Sequence, residues 1–300
     1  MEAEQYRRLC QWIDQASPHG RRKRQQFSDR VIMKVFIWST LCDRPVVWAC
    51  QECNWPPDLL EDLGMLPSQP TMSRRLQSVG VRQLTERVCV MLSERLDDGG
   101  PVKVIDSKPL VVGNYSKDRD ARRGRAAGGM ARGYKLHAIC SGKAILHWTL
   151  TSLNCNDQVG AAMLLPRLSE DRRGWGYVIA DNGYDANATH LISRGVNHQL
   201  LAPPRKSNRH VRDTRRNDPA RIRSLDALAN PLKHCGLGRS FAQEVFAERT
   251  QIERNFGNLV MDGLQSPPPW VRRPHRVSAW IAAKIIQRTD RALQIAGVMA

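Results

Sequence analysis

The sequence lacks a long uninterrupted apolar run. Its longest apolar stretch, residues 31–42, is short and contains Lys34, whereas a helix that crosses a bilayer needs about 20 consecutive apolar residues. The first residues also lack the apolar segment of a secretory signal. We therefore expect a protein that does not associate with membranes and acts in the cytoplasm.

The cysteines also lack the spacing of a metal-binding site. The eight cysteines are scattered along the chain, and only Cys50 and Cys53 have the CxxC spacing. No second cysteine pair and no histidine pair follows them at a zinc-binding distance. Several of the cysteines lie in apolar stretches, where a free thiol packs as a small hydrophobic group. The pattern argues against structural zinc and indicates the reducing conditions of the cytosol.

Acidic residues are few relative to basic ones. The chain has 29 Asp and Glu against 46 Lys and Arg, which gives a formal net charge of +17. The cations are clustered in residues 21–24, 117–135, 205–223 and 272–276. Such clusters are typical of proteins that bind a polyanion. We predict a nucleic-acid partner; the alternatives are solubility alone, or a ribosome-like or membrane-surface binder.

The chain divides at an Asp-Asp-Gly-Gly-Pro linker over residues 97–101. Before the linker the apolar residues repeat with a helical period, Ser28 is placed to cap a helix, and Pro45 and Pro57 are placed to begin helices. We therefore predict a small all-α domain over residues 1–98.

Part of this helical region has a possible DNA-binding motif. A short helix, a turn at Gly64 and a polar helix with paired arginines resemble a helix-turn-helix over residues 57–80. That motif would place Arg74 and Arg75 on DNA. An ordinary helical bundle with a solvated arginine face explains the segment equally well.

After the linker the pattern changes to alternating strands and helices, over residues 101–296. The order is strand, hairpin, helix, strand, helix, strand, helix, with strands over 102–105, 134–140, 145–153, 177–180 and 198–202. This order predicts an α/β fold in which a mixed sheet is flanked by helices. It matches the order of ribonuclease-H-like proteins. The basic stretches 117–132 and 205–223 are expected to be loops.

Two apolar runs of this region each end on an aspartate, Asp106 and Asp181. Side chains at strand ends face the crevice beside a sheet, and carboxylates from separate elements can hold two hard cations about 3.5–4 Å apart. Each aspartate also fits a turn or a cap, and Asp185 is expected to cap the next helix. A third acid would come from a helix predicted over residues 241–259, which offers Glu244, Glu248 and Glu253.

Four segments together resemble the DDE-type transposases of bacterial insertion sequences: VIDSKPLVVGNYS, RGYKLHAIC, VIADNGYDA and FAERTQIERNFGNL. The resemblance covers about residues 100–295. It includes the Tyr-x2-Arg-x3-Glu-x6-Lys signature of one group, in which Arg249 and Glu253 match, so Glu253 is selected as the third acid. Phe246 replaces the signature tyrosine. Val260 replaces the signature lysine, for which Arg254 is the expected substitute.

The resemblance implies a metal-dependent enzyme. Transposases of this type bind the terminal inverted repeats of their element, cleave the 3′ ends and join them to target DNA. By resemblance, Asp106 bridges two Mg²⁺ ions, for which Mn²⁺ can substitute, while Asp181 and Glu253 each complete one. Arg249 suits a bidentate contact with a phosphate.

The resemblance also implies partners. Backbone contacts with double-stranded DNA, at the element ends and the target, are expected from Lys135, Arg122, Arg123 and Arg125. Because two ends have to be brought together, we expect at least a dimer on DNA, acting on the nucleoid in the bacterial cytoplasm.

Two other functions remain open. The first is a decayed or repurposed copy that binds DNA without cutting it, which the departures at Phe246 and Val260 would explain. The second is a different ribonuclease-H-like nuclease that acts on RNA–DNA hybrids or junctions.

Overall fold

The computed structural model describes residues 2–17, 26–113, 116–170, 174–204, 213, 215–229 and 241–298. The basic cluster at 21–24 and much of the one at 205–223 lie outside these residues. The chain forms two compact units: Met1–Leu96, Tyr115–Asp120 and Asn258–Ala300 make the first, and Asp97–Asn114 and Ala121–Gly257 make the second.

The described α-helices are α1 (Glu2–Ala16), α2 (Asp29–Leu41), α3 (Val46–Ala49), α4 (Pro57–Leu63), α5 (Gln69–Arg75), α6 (Val79–Leu96), α7 (Asp157–Leu164), α8 (Asn187–Gly195), α9 (Pro219–Leu228), α10 (Phe241–Ala247), α11 (Thr250–Met261) and α12 (Pro274–Ile295). The described strands are β1 (Val102–Val111), β2 (Arg122–Ala126), β3 (Gly129–Ser141), β4 (Ala144–Ser152), β5 (Gly176–Ile179) and β6 (His198–Leu201). None of these helices combines the length and the apolar character that crossing a bilayer requires.

The first unit is helical, and its predicted helix starts are confirmed. The Ser28 hydroxyl accepts a hydrogen bond from the backbone N–H of Val31, as an N-cap does. Pro45 directly precedes α3, and Pro57 is the first residue of α4, where its missing N–H costs nothing. Helix α1 was not predicted. Its buried face includes Leu9 and Trp12.

Helix α12 packs in the same core as the N-terminal helices, through Ala283, Ile286 and Leu293. Asp290, which is 2% exposed, accepts hydrogen bonds from Trp12 Nε1 at 3.0 Å and from Arg8 at 3.1 Å. The second unit ends at Gly257, whereas the sequence predicts a second domain that extends to residue 296. The reason is that α12 buries its apolar and polar residues against helices from the other end of the chain.

Replacing Asp290 by alanine should lower the free energy of unfolding by about 2–4 kcal/mol, because the buried Trp12 N–H and the Arg8 guanidinium would lose their acceptor. Urea unfolding followed by tryptophan fluorescence measures the change. Glu4→Ala is the matched control: Glu4 also pairs with Arg8, but its side chain is 72% exposed, so its loss should cost under about 0.5 kcal/mol. Equal effects would contradict the prediction.

The second unit is built on a mixed sheet. Strand β3 pairs antiparallel with β4 and with β1, β1 pairs parallel with β5, and β5 pairs parallel with β6. The resulting path β4-β3-β1-β5-β6, with β2 added on β3, is the ribonuclease-H-like order. Ile105, Ile139 and Val178 of the sheet pack with Ala161 and Leu164 of α7. The predicted α/β class, a mixed sheet flanked by helices after a helical region, is confirmed.

Three local predictions for this unit are wrong. Strand β1 continues to Val111 instead of ending at Ile105, because its antiparallel ladder with β3 runs on to the pair Val111–Gly133. Residues 122–126 form β2 instead of a loop, because they pair with the start of β3. The helix predicted over 241–259 is divided into α10 and α11.

Asp185 is not the cap of α8. The N-cap position is occupied by Ala186, without a side-chain hydrogen bond. The Asp185 carboxylate is instead fully buried and accepts two hydrogen bonds of 2.7 Å from Arg221 of α9. A buried carboxylate is stable only with such a partner. Asp185 therefore has a structural role in the second unit.

The buried imidazole of His137 lies between β3 and α7. Its Nε2 is 2.9 Å from Thr151 Oγ1, and a Cβ at Gly160 of α7 would be 2.2 Å from its Nδ1, so α7 needs glycine there. Burial lowers the pKa of His137 from 6.5 to about 4.

This pKa predicts a pH dependence of stability. Between pH 6.5 and about 4 the unfolded chain takes up a proton at His137 that the folded chain refuses, so folding weakens as the pH falls, by up to about 3 kcal/mol. His137→Gln should flatten this part of the profile, measured by urea unfolding at a series of pH values. An unchanged slope in the variant would show that other groups cause the loss.

Candidate active site

Asp106 lies where β1 separates from β5. The parallel ladder between these strands runs from Val102–Tyr177 to Val104–Ile179, whereas the ladder of β1 with β3 continues past Asp106, which pairs with Ala138. Past Val104, β1 therefore has no described ladder with β5, which also explains why it accepts Pro109. Asp106 is thus inside a strand, two residues beyond the last parallel pair.

Asp181 follows the end of β5, and its charge raises the pKa of Asp106. Its Oδ1 accepts a hydrogen bond of 2.8 Å from the backbone N–H of Gly183 and caps a short 3₁₀ helix, Asn182–Tyr184. The prediction that Asp181 ends a strand is confirmed. A Cβ at position 183 would be 2.9 Å from that Oδ1 and 3.4 Å from Oδ2 of Asp157, so a glycine keeps this space clear.

A third aspartate, Asp157, meets the first two. Its Oδ1 accepts hydrogen bonds from Ser107 Oγ at 2.7 Å and from Lys135 Nζ at 3.1 Å. Asn156, the neighbour of Asp157, is the N-cap of α7 and accepts a hydrogen bond from the N–H of Gln158. This leaves the Asp157 side chain to join the site.

The electrostatics show that these acids share one region. Burial raises the pKa of Asp106 to about 6; the Ser107 N–H opposes this, the charges of Asp181 and Asp157 add to it, and Arg249 opposes it. The pKa of the buried Tyr184 hydroxyl is also raised, by burial first and then by the same three carboxylates. The carboxylates of Asp106, Asp157 and Asp181 therefore repel one another, as they would around a site for a cation.

Glu253 is an exposed residue of α11, which buries its neighbours Ile252 and Phe256. Its side chain is 54% exposed and accepts a hydrogen bond of 2.9 Å from Arg249. Arg249 lies in the break between α10 and α11, and its charge lowers the pKa of Asp106. Glu253 is thus linked to the aspartates through Arg249. Within the described part of the chain, no three acidic, histidine or cysteine side chains are already gathered as ligands of one metal ion.

The two departures from the signature have different surroundings. Phe246 lines an apolar cavity of about 550 Å³, where a ring without a hydroxyl packs well. Its other apolar lining residues are Pro203, Pro204, Leu225, Leu228 and Ala229. Val260 is half-buried on α11, and Arg254 is exposed on the same helix.

The predicted DNA-contacting cations divide into engaged and exposed groups. Lys135 donates to Asp157 and, at 2.8 Å, to the carbonyl of Cys155. Arg75 donates to the carbonyl of Phe27 and to Asp29, at 2.7 and 2.6 Å. The exposed group consists of Arg74, Arg122, Arg123, Arg125 and Arg254. Lys135 and Arg75 therefore have structural partners, whereas the arginines of β2 form an exposed basic hairpin.

The sheet order and the paired aspartates at the point where β1 and β5 separate define a ribonuclease-H-like α/β protein. The chain belongs to the DDE transposase family, because the family model described as transposase DDE domain matches residues 97–285. The predicted membership of the DDE-type transposases is confirmed. A search of curated proteins gave no match.

Solved transposase structures are similar to the chain at low identity. A piggyBac transposase synaptic complex with hairpin DNA is 14% identical, with a TM-score of 0.45 over 95% of this chain and 70% of that one. A pre-cleavage Mos1 transpososome is 16% identical, with a TM-score of 0.24 over 80% and 81% of the two chains. A Mos1 mariner paired-end complex with Mn is 17% identical, with a TM-score of 0.24 over 82% and 84%.

Proposed function

We propose that the protein is an insertion-sequence transposase that binds the terminal inverted repeats of its element, cleaves the DNA and transfers the 3′ ends to target DNA. The observation that carries this proposal is the convergence of Asp106 and Asp181 where β1 and β5 separate, in a chain of the DDE transposase family. The N-terminal helices would bind the element ends, and residues of the second unit would do the chemistry.

Divalent cations fit the donor set at this place. Carboxylate oxygens are the ligands that Mg²⁺ and Mn²⁺ prefer. Burial first, and then the charges of Asp181 and Asp157, raise the pKa of Asp106, and a bound cation would favour its charged form. Asp106 and Asp181 would hold the ions, and Glu253 would join them on release from Arg249. When bound, the ions activate the attacking oxygen and stabilise the leaving 3′ oxygen.

The chain's own residues would position the DNA. Arg249 carries a planar guanidinium that can contact a phosphate at two points, and its charge already acts on Asp106. The exposed arginines of β2 would grip the backbone of the duplex and carry no sequence preference. Because two ends must be joined to one target, the active form would be at least a dimer on DNA.

Asp106→Asn should lower the rate of strand cleavage, on a duplex that carries the element end, by at least about 100-fold. The reason is that it removes a carboxylate needed to hold the cations that neutralise charge at the reacting phosphate. Binding of the same duplex should stay within about twofold, since phosphate contacts supply most of the affinity. Asp181→Asn and Glu253→Gln should behave alike. Cleavage assays with Mg²⁺ or Mn²⁺ and gel-shift titrations measure both quantities, with the exposed Asp226→Asn as the control.

The outcomes separate the remaining functions. A wild-type protein that binds the ends but never cuts them is a decayed or repurposed DNA-binding protein. Cleavage of RNA–DNA hybrids without cleavage at element ends indicates another nuclease of the same fold. Loss of binding in Asp106→Asn would show a structural role for this aspartate.

Replacing Arg122, Arg123 and Arg125 together by glutamine should reduce the slope of log affinity against log salt by about 2–3, because each lost phosphate contact contributes about 0.9. Duplex binding at several salt concentrations measures the slope. Arg194→Gln is the control, since Arg194 is already paired with Asp218 at 3.2 Å. A slope unchanged in the triple variant would exclude the hairpin from the DNA interface.

A further inference from the structure

We propose that Asp157 is a positioning residue of the cation site, whose charge strengthens the binding of a hydrated divalent cation by Asp106 and Asp181. This inference rests on the proposed function. The DDE pattern assigns no role to Asp157, and the acid that it does assign, Glu253, is paired with Arg249 on α11.

The side chain of Asp157 is held towards the sheet. Ser107, the neighbour of Asp106 on β1, donates to its Oδ1, and Lys135 of β3 donates to the same oxygen. Lys135 is fixed in turn by the carbonyl of Cys155. The side chains of Lys135 and Asp157 are only 14% and 28% exposed, so this is a shielded pair and not a mobile surface ion pair.

The other carboxylate oxygen of Asp157 lies near Asp181. Both described hydrogen bonds fall on Oδ1, while Oδ2 and Asp181 Oδ1 lie against the same glycine, Gly183, at 3.4 and 2.9 Å from where its Cβ would be. A side chain at position 183 would therefore contact both acids. The oxygen of Asp157 that makes no described hydrogen bond is thus close to Asp181.

A role confined to helix α7 does not explain these contacts. An acid in the first turn of a helix is favourable by itself, but it needs neither a lysine nor a serine from the sheet. The described acids are not gathered as ligands of one ion. Asp157 would therefore act through its charge, without coordinating the ion directly. Mg²⁺ keeps several waters and takes only one or two carboxylates, and acids beyond the ligands change metal affinity by about 10–100-fold.

Mn²⁺ binding to the full-length protein, followed by electron paramagnetic resonance of the free ion in the absence of DNA, tests the proposal. Asp157→Asn should weaken Mn²⁺ binding by about 10-fold, and Asp157→Glu should recover most of the loss. Asparagine keeps an oxygen for Ser107, so the melting temperature should change little. Asp226→Asn, again the exposed control, should bind Mn²⁺ as the wild type does.

Ser107→Ala is a second, independent test of the proposal. It keeps the charge of Asp157 but removes the hydroxyl that orients it, so Mn²⁺ affinity should fall about threefold. Wild-type affinity in both Asp157→Asn and Ser107→Ala would overturn the proposal, as would loss of affinity in Asp157→Asn that glutamate fails to recover. If Asp157→Asn does not fold, Ser107→Ala and Asp157→Glu decide.

Asp106→Asn separates this inference from the function on which it rests. If the wild type binds no Mn²⁺ and cuts no DNA, the proposed function fails and the inference fails with it. If Asp106→Asn abolishes Mn²⁺ binding and cleavage while Asp157→Asn changes neither, the proposed function stands and the role of Asp157 is wrong.

Discussion

The site depends on repulsion between carboxylates that the sheet holds together. Strands β1 and β5 share a parallel ladder only as far as Val104 and Ile179, and the acids that follow, Asp106 and Asp181, are brought to one place by that ladder. Burial and like charge raise the pKa of Asp106 to about 6. The free energy of packing in the sheet and α7 offsets this cost, which a cation can then relieve.

The surrounding residues limit that repulsion without cancelling it. Lys135 donates a hydrogen bond to Asp157. Arg249 donates one to Glu253, and its charge lowers the pKa of Asp106. The exposed arginines of β2 belong to a separate hairpin. Within the part of the chain that the structure describes, Lys135 and Arg249 therefore stabilise acids of the fold, whereas the arginines of β2 are exposed.

Sequence reasoning succeeded where a pattern is local. The cap at Ser28, the β3–β4 hairpin and the order of strands and helices follow from hydrophobic period and turn residues. It failed where distant pairing decides. The extension of β1 depends on its ladder with β3, which is remote in the chain. Asp185 was taken for a cap because its partner, Arg221, is 36 residues away.

By itself, the sequence determined the class of fold, the basic character and, through resemblance, the transposase family and the choice of Asp106, Asp181 and Glu253 as candidate acids. Only the tertiary structure decided that Asp157 joins the first two, that Lys135 is engaged by that acid, and that α12 packs with the N-terminal helices. The physical reason is the separation along the chain over which each interaction acts. Helical period, capping and strand alternation act over a few residues, whereas charge pairing and burial act between residues that meet only after folding.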